Sequence, residues 1–142
     1  MRTDLVPEDL ADMLAQPLIA VLATRRADDS VLLSPVWYEW RDGGFDVWVG
    51  SADEGKVRHI RRDPRVSIVV ANADPPYKGV EVRGKATISE SADHFYAVLE
   101  RTARRYYGDE RGMAMVATYT QPGVVIRIEP GDARAWDYAD ET

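Results

Sequence analysis

The chain has 142 residues, 45% of them apolar and 30% charged, and a formal net charge of −6. That length suits one domain over residues 1–142, and no apolar run approaches the roughly 18 residues of a membrane-spanning helix. The lack of cysteine excludes disulfides and thiolate chemistry, and the acidic balance argues against generic nucleic-acid binding, which needs basic surface.

In chain order, Pro7 followed by Glu8 and Asp9 opens a short helix with Leu10, Met13 and Leu14 on its apolar face, and Pro17 ends it. Leu18–Thr24 reads as a first strand, closed by the polar turn Asp28-Asp29-Ser30. Val31–Trp40 reads as a second strand, with Pro35 marking an edge or bulge. Asp42-Gly43-Gly44 is a hairpin turn into a third strand, Phe45–Val49. A loop from Gly50 to Gly55 leads to a basic helix, Lys56–Asp63, ended by Pro64. Val66–Ala71 is a fourth strand and Asp74-Pro75-Pro76 a turn. Val80, Val82, Gly84, Ala86 and Ile88 share one face of a fifth. Ser91 as N-cap and Gly108 as the residue past the end bound the longest helix, with Phe95, Val98, Leu99, Thr102 and Tyr106 on its buried face. Val124, Ile126 and Ile128 form a sixth strand, stopped at Pro130-Gly131. Six strands joined mostly by short turns predict a β-dominated fold with a few helices. A small antiparallel barrel is expected, with a sandwich as its main alternative.

The basic charge is concentrated: Lys56, Arg58, Arg61, Arg62 and Arg65 fall within ten positions, opposed only by Asp63. On an anionic protein such a patch suits a small anionic ligand or a solvated helix face. Gly50-Ser51-Ala52-Asp53-Glu54-Gly55-Lys56 follows a nucleotide-binding glycine loop up to the position where Val57 replaces the magnesium-binding hydroxyl. A triphosphatase is therefore not expected. A glycine-bounded loop entering a helix still offers free N–H groups, to which Lys56 and Arg58 add charge.

Only His59 and His94 offer imidazole, in different predicted helices, and no metal site is expected from them. Both read best as ordinary surface or hydrogen-bonded residues. Trp37, Tyr38, Trp40 and Trp48 cluster on adjacent strands, where they pack a core or interface, or stack a planar ring. The N-terminus, Met1-Arg2-Thr3-Asp4, shows no apolar leader, so a cytoplasmic protein is expected.

Leu33-Ser34-Pro35-Val36-Trp37, Gly50-Ser51 and the run from Lys56 to Val66 resemble the pyridoxamine 5′-phosphate oxidase-like split barrels. Gly79 to Ala86, Ala103 to Gly108 and Arg134-Ala135-Trp136-Asp137 extend the resemblance along nearly the whole chain. Within that superfamily the sequence is most similar to the B group of F-420-dependent flavin/deazaflavin oxidoreductases. The resemblance implies a homodimer of six-stranded split barrels with two cofactor sites at the interface. It implies that Ser34, Pro35, Val36 and Trp37 contact the deazaflavin ring and that Ser51, Lys56 and Arg58 hold its phosphate. Tyr77, Lys78, Gly79 and Trp136 would contribute from around the interface. Glu54 departs from the pattern, since relatives often carry a basic residue there.

The implied reaction is hydride transfer from reduced coenzyme F-420 to a small conjugated acceptor such as an enone, quinone or tetrapyrrole. The cofactor carries the chemistry, so no obligatory catalytic side chain is expected. Tyr38, Arg83 and Arg105 are candidate substrate-facing donors. The alternatives are an FMN-dependent oxidoreductase of the same superfamily and a non-catalytic deazaflavin carrier.

Overall fold

A computed structural model describes residues 1–141. Nine strands form one curled antiparallel sheet: β1 (Arg2–Leu5), β2 (Ala20–Arg25), β3 (Val31–Val36), β4 (Glu39–Arg41), β5 (Gly44–Val49), β6 (Arg65–Ala71), β7 (Lys78–Ser89), β8 (Val124–Ile128) and β9 (Asp132–Asp137). The helices are α1 (Ala11–Leu14), α2 (Gly55–Arg62), α3 (Ala92–Tyr107) and α4 (Asp109–Ala117), with a 3₁₀ turn at each end of the chain. The order β3-β2-β6-β7-β8-β5-β4 is completed by β9 on β7 and β1 on β9. This is the split barrel expected from the sequence.

The strand count exceeds six for two reasons. Short strands at the termini, β1 and β9, add to the edge of β7. The run Val31–Trp40 is not one strand, because it breaks at Trp37 and Tyr38. Its first part pairs with β2 at one edge of the sheet and its second with β5 at the other, so two residues close the barrel. Between those ladders the Tyr38 backbone finds side chains instead of a neighbouring strand. Its N–H donates to the Tyr106 hydroxyl at 3.4 Å, and its carbonyl accepts from the Arg105 guanidinium.

Alternation sorts the side chains. Leu22, Ile68, Val82, Val47, Ile126 and Ile128 fill the barrel interior, where Tyr38 and Phe45 meet edge to face at 5.6 Å. Val125 and Trp48, paired across β8 and β5, belong to a second cluster with Phe95, Val98 and Leu99 of α3 and Met115 of α4. Ser91 caps α3, its hydroxyl accepting from the His94 N–H at 3.2 Å. Arg101 anchors α3 to the barrel through a bidentate pair with Glu39, at 2.7 and 2.9 Å.

The α3–α4 corner was not expected from the sequence. Gly108 adopts φ +84°, the left-handed region that suits glycine, and α4 starts at the next residue. At Gly112 a Cβ would lie 2.7 Å from the Ala103 carbonyl oxygen, so a side chain there would push the two helices apart.

Candidate functional site

An open cleft of about 370 Å³ lies where the closing bend, the end of β5, the start of α2 and the α3–α4 corner meet. Its walls are aromatic. Trp37 stacks on Tyr106, with centroids 4.5 Å apart and planes 4° from parallel, and meets Tyr107 and Trp48 edge-on at 5.0 and 6.1 Å. Tyr119 stands edge-on to Trp48 at 5.3 Å, and its ring would touch a Cβ at Gly50 at 3.1 Å. Pro35, Val36, Val49 and Met115 complete the apolar lining. Fixed rings of this kind suit a flat, conjugated ligand, and the volume lies within the ~300–1,000 Å³ of small-molecule sites. The Trp48 indole N–H is buried away from the cleft surface and finds no acceptor among the described residues.

The mouth of the cleft carries charge. Lys56 stands in the first turn of α2, where free N–H groups and the helix dipole favour an anion. Its ammonium pairs with Glu54 at 2.9 Å, with side-chain exposures of 17% and 45%. Burial pushes the Tyr119 phenol pKa up, and the Glu54 carboxylate adds to that shift. An arriving phosphate therefore finds a cation already partnered by an acid.

The residues singled out from the sequence divide into three groups. Pro35, Val36, Trp37 and Lys56 line the cleft. Ser34, Ser51 and Arg58 lie beside it. Ser34 is half-buried on β3 opposite Leu22, the Ser51 hydroxyl accepts from the Asp53 N–H at 3.1 Å, and Arg58 donates to the Asp53 carbonyl. In this conformation Ser51 and Arg58 hold the loop together. Tyr77, Lys78, Gly79 and Trp136 form a separate group across the sheet. Gly79 pairs with Trp136, and a Cβ on Gly79 would fall 2.4 Å from the indole. None of these four residues lines the cleft of its own chain.

The candidate substrate-facing donors are corrected by their surroundings. Tyr38 is fully buried, and its hydroxyl donates to the Gln16 carbonyl at 3.2 Å. Arg105 packs over the Tyr38 and Tyr106 rings at 5.0 and 5.1 Å and serves the closing bend. Arg83 lines a different groove, on β7. Sequence reasoning missed Tyr107, at the end of α3, and Met115 and Tyr119, which reach the cleft because α4 folds back on α3. His59 and His94 stay outside it. The His59 Nδ1 bonds the Thr24 hydroxyl at 3.0 Å, and the His94 Nε2 lies 3.6 Å from the buried Asp46 carboxylate. No cluster of metal-binding side chains occurs among the described residues, and no helix among them is long and apolar enough to cross a membrane.

Residues 6–137 match the family model described as pyridoxamine 5′-phosphate oxidase. Among solved structures, a conserved hypothetical protein of Mycobacterium tuberculosis, Rv2991, is 28% identical with a TM-score of 0.82, over 96% of this chain and 87% of that one. An F420 reductase is 26% identical with a TM-score of 0.67, over 86% of this chain and 93% of that one. An FAD-binding protein from Mesorhizobium loti, at 20% identity and a TM-score of 0.64 over 94% and 93% of the two chains, shares the fold. No curated protein matches.

Proposed function

The chain belongs to the pyridoxamine 5′-phosphate oxidase family, and from that premise we propose that it is an oxidoreductase using coenzyme F-420, transferring a hydride from the reduced cofactor to a small conjugated acceptor. The observation that carries this reading is the aromatic cleft with a lysine at a helix N-terminus in its mouth. The cleft's aromatic walls and volume of about 370 Å³ suit a conjugated ring, and the mouth suits the phosphate on that ring's side chain. The likeness to an F420 reductase adds support.

When bound, the deazaflavin supplies the hydride chemistry. The chain's own part is positional. Trp37, held by its stack on Tyr106, would fix the plane of the ring. Pro35 in the lining has no N–H to strand, and Gly50 leaves room for the Tyr119 ring that forms the opposite wall. Trp48, Tyr107 and Tyr119 would exclude water from the reacting face. Lys56 and the first turn of α2 would hold the phosphate, with Ser51 and Arg58 turning toward it as the loop exchanges its internal bonds for the ligand.

A homodimer belongs to the same reading. Tyr77, Lys78, Gly79 and Trp136 contact a cofactor only if a partner copy brings them to the cleft. Leu33, 63% exposed beside Pro35 on the outward face of β3, is an apolar surface that such a partner would cover. FMN is the second reading, favoured by Glu54: an acid beside Lys56 is tolerated better by a ligand with one phosphate than by one that also carries carboxylates. Parallel titrations of apo-protein with F-420 and FMN, followed by cofactor fluorescence, separate the two. Micromolar F-420 binding with weaker FMN binding is expected. The reverse order selects the FMN reading, and binding of neither removes both.

A further inference from the structure

The lining of the aromatic cleft comes from two separate parts of the chain. One side is the closing bend, the end of β5 and the start of α2, where the ring and its phosphate are placed above. The other is a single segment, 107–119, which supplies Tyr107, Met115 and Tyr119. That segment is built as a fixed wall. Gly108 turns the chain from α3 into α4, and Gly112 seats α4 close against the Ala103 carbonyl. The Tyr96 hydroxyl of α3 donates to the Tyr119 carbonyl at 2.7 Å, and the Tyr119 N–H donates to the Val116 carbonyl at 3.0 Å. The two helices ride on Trp48 of β5 and Val125 of β8, not on the outward face of β3 that a partner copy would cover.

This segment carries a cation at the rim of the cleft. Arg111, in the first turn of α4, lies over the Tyr107 ring with its guanidinium carbon 4.6 Å from the centroid. It is exposed and makes no ion pair or hydrogen bond among the described residues. Its neighbour Arg104, by contrast, is held by Glu100 at 3.1 Å and by Asp109 at 3.4 Å. A guanidinium lying over a ring keeps its N–H edge free for the two-point contact that a carboxylate makes. Rings connect this arginine to the far end of the cleft. Tyr107 meets Trp37, Trp37 meets Trp48, and Trp48 meets Tyr119, each edge-on at 5.0 to 6.1 Å. At that far end Lys56 is already neutralised by Glu54 at 2.9 Å. Neither Asp109 nor Glu110 lines the cleft.

Resting on the function proposed above, we propose that segment 107–119 is the acceptor-binding half of the site, and that Arg111 selects a flat, conjugated acceptor carrying a carboxylate. Tyr107 borders the reacting face, so an acceptor lying on that face has this ring beside it and its carboxylate within reach of Arg111. The phosphate of the cofactor belongs to the opposite end, at Lys56, and its binding does not depend on Arg111.

Isothermal titration of the F-420-loaded protein with anthraquinone-2-carboxylate and with anthraquinone-2-carboxamide, two flat probes of like shape and different charge, tests this. The carboxylate is expected to bind about fivefold tighter, the upper range for an accessible ion pair. Arg111→Gln should abolish that preference and Arg111→Lys should keep part of it. Arg104→Gln, which removes a neighbouring cation that is already paired, should leave it intact. All three change exposed side chains, so the fold and the F-420 affinity should match the parent. Equal affinity for the two probes, a preference that survives Arg111→Gln, or one lost equally in Arg104→Gln overturns the proposal. So does the lack of saturable binding by either probe. Titration of the apo-protein separates this proposal from the one it rests on. If F-420 does not bind, the deazaflavin reading fails, while the preference between the probes and its dependence on Arg111 are still read in the empty cleft.

Discussion

Glu54→Gln tests whether the acid at the mouth of the cleft sets its preference among ligands. Lys56 is bound to Glu54 at 2.9 Å, so a phosphate must displace that contact and then sit near the carboxylate. Unit charges ~4 Å apart interact by about 4 kcal/mol at an effective dielectric of ~20. With the Glu54 side chain 45% exposed, solvent and salt screen this toward about 1 kcal/mol. Removing the charge should tighten FMN roughly fivefold, by that ~1 kcal/mol. The fold should lose little, since a pair this accessible contributes about 0.2–1 kcal/mol. The assay is quenching of flavin fluorescence in parallel titrations with FMN and riboflavin, which differ only by the phosphate. A gain for FMN with none for riboflavin is the expected result. An equal gain for both, or none for either, refutes the placement of phosphate beside Lys56.

Lys56→Ala should weaken FMN or F-420 by about 1.5–3 kcal/mol, the range for hydrogen bonds to charged groups, while leaving riboflavin unaffected in the same titration. Trp37→Leu removes the stack on Tyr106 and the edge contacts to Tyr107 and Trp48, each worth about 0.5–1.5 kcal/mol beyond burial, so urea unfolding should show a loss of about 1.5–4.5 kcal/mol. Gly79→Ala drives a methyl into the Trp136 indole and should cost about 1–3 kcal/mol; the same change in a Trp136→Ala background should be close to neutral, which a double-mutant cycle reads directly. Burial beside Arg26, Arg58 and Arg62 holds the His59 pKa below its ordinary value, so folding favours the neutral ring. Its contribution is complete above the unfolded pKa of about 6.5 and is lost as pH falls from there through the folded value. Melting temperature should therefore fall with pH less steeply in His59→Gln than in the parent over that window.

The barrel was legible because alternation is strong where one face is buried: Ala20, Leu22, Val66, Ile68, Val70, Val80 and Val82 are all buried on their strands. The break at Trp37 and Tyr38 was not, because both are good strand formers. Their ladder stops only because the chain crosses to the opposite edge of the sheet, a non-local event in which Tyr106 and Arg105 satisfy the backbone. Strand β1 is polar and mostly exposed, so nothing in its four residues carries a period. In α4 only Gly112 is buried, and a helix without an apolar stripe leaves little signal beyond Gly108 and the acids Asp109 and Glu110 in its first turn. The same contrast governs the site. Pro35, Trp37, Glu54 and Lys56 stood out because each breaks or charges a local pattern. Tyr107 and Tyr119 enter the cleft through the α3–α4 corner, which no short motif encodes.

The most direct test is a crystal structure of the protein grown with coenzyme F-420. The account predicts the deazaflavin ring in the cleft between Trp37, Trp48 and Tyr107, with its phosphate at Lys56 and the first turn of α2, and with Trp136 of a second copy nearby. A ring bound elsewhere, or a phosphate away from Lys56, contradicts it.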